Sequence, residues 1–157
     1  IGLVVGQLSS EGVGITPIER FEGYKKALQD NKIAFDKDKV IEIINYTFEE
    51  GEQALLSYID RKIKFDAIFC AAGDMVALGI MDEASKLNMD IPHDFALIGY
   101  DDISMASISK PGLTTVKQPI ESIGRTALRM LDSMIETGKI EQSKIIFEPE
   151  LVIRGTA

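Results

Sequence analysis

Several residue types that support common chemistries are scarce in this sequence. Its 157 residues include one cysteine, one histidine and no tryptophan. A single cysteine excludes a disulfide within the chain, and Cys70 lies in the apolar run 67–72, where a thiol behaves as a small hydrophobic residue. One Cys and one His cannot form the ligand cluster that zinc or copper requires. We therefore expect no metal site and no cofactor, and we predict that His93, next to Pro92, is exposed in a turn.

Positive charge is also in deficit. Seventeen Lys and Arg residues face 25 Asp and Glu residues, so the net charge is −8. Such a surface is unsuited to binding a polyanion, and any contact with DNA must come from another part of the protein. No apolar run approaches the roughly 20 residues that span a bilayer, and no export signal is present. We expect a cytoplasmic protein with no membrane partner, and we interpret the abrupt opening on the strand-like run 1–6 as a fragment or a processed product.

The motifs of common enzyme classes are missing as well. The segment 12–17 contains two glycines but ends in Pro17, where the dinucleotide-binding pattern requires a glycine. There is no phosphate-binding P-loop, no metalloprotease helix and no nucleophile elbow. An enzyme is therefore the least favoured of the functions that we consider.

Short apolar runs alternate with segments of helical periodicity over the first 100 residues. This alternation is typical of βαβ units on a mostly parallel sheet. Thr16 and Thr47 are predicted N-caps, because a glutamate follows each of them three residues later. The pattern predicts strands over 1–6, 40–44, 67–71 and 95–100, and helices over 16–30, 47–61 and 74–87.

The last third of the chain has a different pattern. A strand is predicted over 113–117, and a long helix begins at Pro119 and ends at Gly138. The apolar positions of this helix recur every three or four residues and form one stripe, which something must cover. Two short strands are predicted over 145–147 and 151–153.

Polar residues follow the predicted strands on one side of the sheet. Asp74 follows the third strand, and Asp101 and Asp102 follow the fourth. Ligands of open parallel sheets bind beyond the carboxyl ends of the strands, so these carboxylates are candidates for a binding site. Two alternatives remain open at this point, namely that Asp74 caps its helix and that Asp102 organises a turn.

Two further residues are expected at the same edge. Arg20 lies in the first turn of the first helix. A cation there opposes the helix dipole and is mildly unfavourable, unless an anion pairs with it or it serves in binding. Tyr46 follows the second strand, and its ring could stack on a sugar or a base, although ordinary packing is the alternative. An arginine, an aspartate and an aromatic ring suit a neutral polyol or a heterocycle. They do not include a base and nucleophile pair for catalysis.

Four separated blocks closely resemble the lactose/galactose-repressor (LacI/GalR) family of bacterial transcription regulators. The blocks are FDAIFCAAGDMVALG at 65–79, IPHDFALIGYDD at 91–102, LTTVKQP at 113–119 and ELVIRGT at 150–156. They follow the order found in the family, and the resemblance covers nearly the whole chain. The last two blocks are typical of repressors rather than of the related transport proteins.

The resemblance implies an α/β fold of the periplasmic-binding-protein-like type (type I), with a mostly parallel sheet flanked by helices. In this interpretation residues 1–117 belong to the C-terminal subdomain of an effector-binding core, and residues 141–157 return to it. Residues 118–140 form a crossover and a helix that belongs with an N-terminal subdomain outside this chain. The family's helix-turn-helix, through which it binds operator DNA, also lies outside this chain.

The resemblance also implies roles for individual residues. Arg20, Tyr46 and Asp101 match residues that contact the effector, and Asp74 matches the acidic member of a polar pair whose first member is here replaced by Gly73. The variable loop 9–16 is expected to help select the effector. A homodimer is expected as well, and its candidate interface residues, for which plain core packing is the alternative, are Met75, Ile80, Met81 and Ile108.

The function implied is that of an effector sensor in a transcription regulator. The expected effector is a sugar or a sugar derivative, with a nucleoside base as the second choice. A transport receptor of the same fold, whose closure is sensed by a permease, is the alternative. It would require an export signal, which this segment does not show.

Overall fold

The computed structural model describes residues 1–9, 14–139 and 143–157. It contains one six-stranded sheet with helices on both faces. In chain order the elements are β1 (Gly2–Gly6), α1 (Ile15–Asp30), a 3-10 turn (Lys37–Lys39), β2 (Val40–Ile43), α2 (Phe48–Asp60), β3 (Ala67–Cys70), α3 (Asp74–Lys86), β4 (Ala96–Asp101), α4 (Ser104–Ile108), β5 (Thr114–Lys117), α5 (Ile120–Thr137) and β6 (Glu150–Val152).

The strand order is β2-β1-β3-β4-β5-β6. The first five strands are parallel, with Leu3 of β1 opposite Val40 on one side and Phe69 on the other. Only β6 is antiparallel, and it pairs with β5 at the edge of the sheet. The predicted fold class, a mostly parallel sheet flanked by helices, is confirmed.

The four strands and three helices predicted over the first 100 residues are all present. The side-chain oxygen of Thr47 accepts a hydrogen bond from the Glu50 backbone at 3.3 Å, as a capping box predicts. The prediction for α1 was wrong in its first residue. This helix begins at Ile15 with Gly14 as N-cap and no side-chain cap, so Thr16 lies inside it.

Two predictions for the last third need correction. Residues 145–147 do not form a strand. The second short strand, predicted over 151–153, is present as β6 at Glu150–Val152. The short helix α4 was not predicted, because five residues are too few for a periodic pattern. Strand β5 and the long helix α5 lie where the sequence places them, and Gly138 ends α5 in the left-handed conformation.

Helices α2 and α3 cover one face of the sheet and contact each other through backbone. A Cβ atom at Gly51 would lie 2.0 Å from the carbonyl oxygen of Val76, and one at Gly79 would lie 1.9 Å from that of Phe48. Real Cβ atoms do not approach so closely, so this helix pair requires glycine at both positions. The face beneath it holds the larger of two hydrophobic clusters.

Two buried polar groups lie in this larger cluster. The Tyr58 hydroxyl lies within hydrogen-bond distance of two carbonyl oxygens, those of Leu3 at 3.0 Å and Lys39 at 2.9 Å, so its single hydrogen has an acceptor although the group is buried. Cys70 is fully buried, and burial raises the pKa of its thiol to about 12. Its predicted place in the core is confirmed, and His93 is exposed in a turn as predicted.

The opposite face is covered only in part. Tyr24 and Leu28 of α1 pack on Leu3 and Val5 of β1. Beside α1 a groove of about 900 Å³ runs over β3 and β4. Its apolar lining includes Ile1, Ala67, Phe69, Ala96 and Ile98.

Helix α5 contributes nothing to the core. None of its 18 residues is buried, and its apolar residues lie exposed. They are Ile120, Ile123, Leu128, Leu131, Met134 and Ile135. Within the described ranges no helix is long and apolar enough to cross a membrane.

We predict that residues 1–157, produced alone, associate in solution. The exposed stripe of α5 and the open groove both favour burial against another surface. Sedimentation velocity should show species heavier than 17.3 kDa, the mass of one chain. Leu131→Glu combined with Ile135→Glu should reduce the association while circular dichroism shows unchanged helix content. A concentration-independent monomer that unfolds cooperatively would contradict this prediction.

We predict that Gly79→Ala strongly destabilises the fold. The added methyl group must push α3 away from the backbone of α2, which costs about 2 kcal/mol or more of the free energy of unfolding. Gly14→Ala is the matched control, because nothing lies within 4 Å of a Cβ atom there. Urea unfolding of both variants measures the difference, and equal stabilities would contradict the close contact.

Candidate functional site

A cavity of about 350 Å³ lies at the carboxyl ends of β1 and β3. Loops that follow these two strands and β2 and β4 form its walls together with the start of α1. Three of the four predicted ligand-binding residues line it, namely Arg20, Tyr46 and Asp101. Its other lining residues are Gly6, Thr16, Pro17, Ala71 and Ala72.

Arg20 is held from two sides. Its Nη1 atom donates to the carbonyl oxygen of Ala71 at 2.6 Å. Its guanidinium carbon lies 3.7 Å from the centre of the Tyr100 ring, in a cation–π contact. Its Nη2 atom lies 4.0 Å from Oδ1 of Asp101, which is an ion-pair contact but too long for a hydrogen bond. The arginine is therefore fixed in direction while one edge of it faces the aspartate across the cavity.

Asp101 is the last residue of β4. Its φ angle of +112° is rarely adopted by L residues, and the following Asp102 also has a positive φ of +56°. Gln118, just after β5, donates from its side-chain amide to Oδ1 of Asp101 at 2.6 Å. The carboxylate is thus oriented by Gln118 as well as by the charge of Arg20.

Tyr46 occupies the turn between β2 and α2 with a φ of +56°. Its hydroxyl lies against Gly6, where a Cβ atom would be 1.8 Å from the hydroxyl oxygen. The ring is nevertheless exposed over much of its surface. Gly6 therefore allows the tyrosine to lie across the end of β1, with part of its surface available for contact.

Asp74, the fourth predicted residue, does not line this cavity. It is buried, and its two oxygens accept hydrogen bonds from the Thr115 hydroxyl at 2.6 Å and the Ile103 backbone at 2.9 Å. The structure therefore places it between α3, β5 and the loop after β4, where it joins these elements. Its neighbour Gly73 has a φ of +126°.

The four predicted interface residues fall into two groups. Met75 on α3 and Ile108 on α4 are exposed, so both are available to a partner. Ile80 is fully buried in the larger cluster, and Met81 packs against that cluster. The position of Ile80 therefore fits the alternative of plain core packing, which the sequence left open because helical spacing cannot tell which apolar face of α3 meets the sheet.

Sequence reasoning missed two residues that orient the site. Tyr100 supports Arg20, and Gln118 holds Asp101. Gln118 follows β5, so the rule that placed Asp101 at the carboxyl edge could have found it. The loop 9–16, expected to help select the effector, lies partly outside the described residues, since the description resumes at residue 14.

The arrangement suits binding rather than catalysis. It offers a fixed cation, a carboxylate and an aromatic face around one small cavity. Among the described residues no group of three or more His, Cys, Asp or Glu side chains could hold a metal ion. A polar ligand with hydroxyl or ring nitrogen atoms would satisfy the two charged groups and stack on the ring.

Comparisons with known proteins agree with this description. A family model described as periplasmic binding protein-like domain matches residues 1–157. The regulator MalR of Streptomyces coelicolor is 33% identical over 160 residues, which cover 99% of this chain and 44% of MalR. The repressor PurR of Yersinia enterocolitica is 34% identical over 154 residues, which cover 98% of this chain and 43% of PurR. This chain thus spans less than half the length of these curated relatives.

Solved structures of regulators have the same fold. The complex of the transcriptional regulator CelR with cellobiose matches with a TM-score of 0.88 at 28% identity, over 99% of this chain and 46% of CelR. The regulator CcpA of Lactococcus lactis matches with a TM-score of 0.86 at 26% identity, over 99% of this chain and 54% of CcpA. The similar proteins are transcriptional regulators, not enzymes, which confirms the expectation from the missing catalytic motifs.

We predict that Asp74 makes stability fall as pH rises. Burial raises the pKa of the Asp74 carboxyl above its ordinary value of 3.8, against the hydrogen bonds from Thr115 and Ile103. Above that raised pKa the folded protein carries a buried charge, whereas the unfolded chain carries the same charge in water. The free energy of unfolding of the wild type, relative to that of Asp74→Asn, should therefore be largest below pH 3.8. This difference should shrink as pH rises through the raised pKa of Asp74.

Urea unfolding of both proteins at a series of pH values measures this difference. Asp66→Asn is the control, because the Asp66 side chain is almost fully exposed. A difference between the wild type and Asp74→Asn that grows with pH would contradict the prediction.

Proposed function

Because this chain belongs to the periplasmic binding protein-like domain family, in the form found in LacI-family transcriptional regulators, we propose that it is the effector-sensing part of such a regulator. Its role is to bind a small molecule at the carboxyl edge of the sheet. Binding then controls the affinity of the whole protein for operator DNA. The DNA contact belongs to a helix-turn-helix outside this chain, in keeping with the net charge of −8.

One observation carries this proposal, the geometry of Arg20 and Asp101. Their nearest polar atoms are 4.0 Å apart, and each group is fixed by a partner of its own. A hydroxyl group placed beside both would accept a hydrogen bond from the guanidinium and donate one to the carboxylate. Each would then gain a charge-assisted hydrogen bond that the free protein lacks.

The effector that fits this arrangement best is a sugar or a sugar derivative. Adjacent hydroxyl groups supply a donor and an acceptor at short spacing, and the apolar face of a sugar ring stacks on an aromatic side chain such as Tyr46. The cellobiose complex of the structurally similar CelR supports this class. A nucleoside base, which also stacks on a ring, is the second choice.

The remaining half of the binding cleft is proposed to come from a second subdomain. In this arrangement residues 1–117 and 141–157 form the C-terminal subdomain, and residues 118–140 cross to the N-terminal subdomain. The uncovered stripe of α5 supports this division, since none of the 18 residues of that helix is buried on the present sheet. Helix α5 would bury its stripe against the second subdomain.

Regulation would follow from the position of the effector between two bodies. If the effector contacts both subdomains, it favours the orientation in which those contacts are best. A coupling free energy of about 1–3 kcal/mol is enough to change operator affinity markedly. Two such chains in a homodimer would place paired DNA-binding heads on a palindromic operator.

The exposed Met75 and Ile108 are the candidates for the dimer interface. Neither residue lines the ligand cavity. If the chain has this role in transcription, we expect the protein to act in the cytoplasm.

The decisive experiment compares effector response with operator binding in the intact protein. Arg20→Ala and Asp101→Asn should each weaken the binding of cellobiose, or of the better binder among maltose and hypoxanthine, by about tenfold or more, since each removes a charge-assisted hydrogen bond. Operator affinity without effector should stay unchanged. Isothermal calorimetry measures the first quantity and fluorescence anisotropy of labelled operator the second.

Arg125→Ala is the control, since Arg125 lies exposed on α5 and pairs with the neighbouring Glu121. Normal effector response in Arg20→Ala or Asp101→Asn would show that the site is elsewhere. Tighter binding of hypoxanthine than of either sugar would assign the effector to the second class.

A further inference from the structure

The loop that carries Asp101 is held in a conformation that its sequence does not favour. Asp101 and Asp102 both have positive φ angles, +112° and +56°, and neither is glycine. Such angles cost L residues conformational energy and persist only where surrounding contacts fix them.

One contact comes from the end of the chain. The Nη2 atom of Arg154 donates to Oδ1 of Asp102 at 2.6 Å, and its Nη1 atom donates to the carbonyl oxygen of Leu113 at 2.8 Å. The side chains of Arg154 and Asp102 are only 20% and 14% exposed, so solvent weakens this ion pair less than a surface pair. The guanidinium fork thus ties Asp102 to the residue just before β5.

A second contact lies on the other side of the same loop. The backbone N–H of Ile103 donates to the buried carboxylate of Asp74 at 2.9 Å. Asp102 and Ile103 are therefore held by two separate groups, and Asp101 lies directly before them, at the end of β4 where it pairs with Lys117.

The segment that carries Arg154 is itself held without the Arg154 side chain. The Thr156 hydroxyl donates to the carbonyl oxygen of Leu97 at 2.7 Å and accepts from the backbone N–H of Thr114 at 2.8 Å. The backbone N–H of Leu97 donates to the carbonyl oxygen of Thr156 at 2.8 Å. Truncation of Arg154 should therefore leave this segment on the sheet.

We propose that Arg154 is a positioning residue for the effector site. It holds Asp102 in the left-handed conformation, and Asp102 in turn fixes the direction in which the Asp101 carboxylate faces Arg20. The effector need not touch Arg154, which does not line the cavity. This inference rests on the proposed function, since it assigns Arg154 a role in effector affinity.

The planar fork of arginine suits this role better than a single ammonium group. It donates in two directions at once, to the Asp102 carboxylate and to the Leu113 carbonyl. A lysine at this position supplies one compact ammonium group, which cannot reproduce the fixed fork geometry. Arg154→Lys should therefore recover only part of what Arg154→Ala loses.

The first arm of the test needs no ligand. Site-resolved amide hydrogen exchange of the intact protein should show the Ile103 N–H exchanging about tenfold or more faster in Arg154→Ala than in the wild type, because the loop opens more often. The Leu97 N–H, bonded to Thr156, should stay within about twofold. Unchanged exchange at Ile103, or equal acceleration at both amides, would overturn the positioning role.

The second arm measures binding by calorimetry with cellobiose, maltose and hypoxanthine as probes. Arg154→Ala should weaken the tightest of these about tenfold, and Arg154→Lys by less. Asp102→Asn should reduce the affinity for the probe only slightly further when Arg154 is already alanine, because the two side chains act through one contact. Wild-type affinity in Arg154→Ala would overturn the inference. If the wild type binds none of the probes, the sugar and base assignments fail, and hydrogen exchange still decides the role of Arg154.

Discussion

The parallel direction of the first five strands determines where every polar group of the candidate site lies. Because β1 to β4 run the same way, Gly6, Tyr46, Ala71 and Asp101 reach the same edge from separate parts of the sequence. Helix α1 begins at that edge and brings Arg20 to it. The site therefore depends on the arrangement of the strands in the sheet rather than on a local motif. For this reason no short sequence pattern predicts it.

Rigidity at this edge comes from buried polar contacts. The Asp74 carboxylate joins Thr115 of β5 to the backbone of Ile103, and burial raises its pKa because the charged form is desolvated. The Arg154–Asp102 pair fixes the same loop from its other side. These contacts hold two consecutive residues at positive φ, a conformation that local sequence alone would not maintain. A loop held in this way keeps its carboxylate in one direction before any ligand arrives, which lowers the entropy cost of binding.

The two faces of the sheet differ in how completely they are covered. Helices α2 and α3 close one face through contacts at Gly51 and Gly79 that admit no side chain. The other face carries α1 and an open groove, and α5 buries none of its residues. Both uncovered surfaces are largely apolar, as the proposed packing against a second subdomain requires.

The sequence by itself determined the alternation of strands and helices, the core position of Cys70 and the exposed stripe of α5, because periodicity and apolar runs are local properties. It also placed Arg20, Tyr46 and Asp101 at one edge, since that follows from strand order along the chain. Only the tertiary structure decided which candidates do not face the cavity. Asp74, a candidate for the cavity, and Ile80, a candidate for the dimer interface, are both buried where α3 packs on the sheet, and helical spacing does not specify which face of α3 that is. Likewise, the contact between Arg154 and Asp102 joins residues 52 positions apart, and only the pairing of β6 with β5 brings them together.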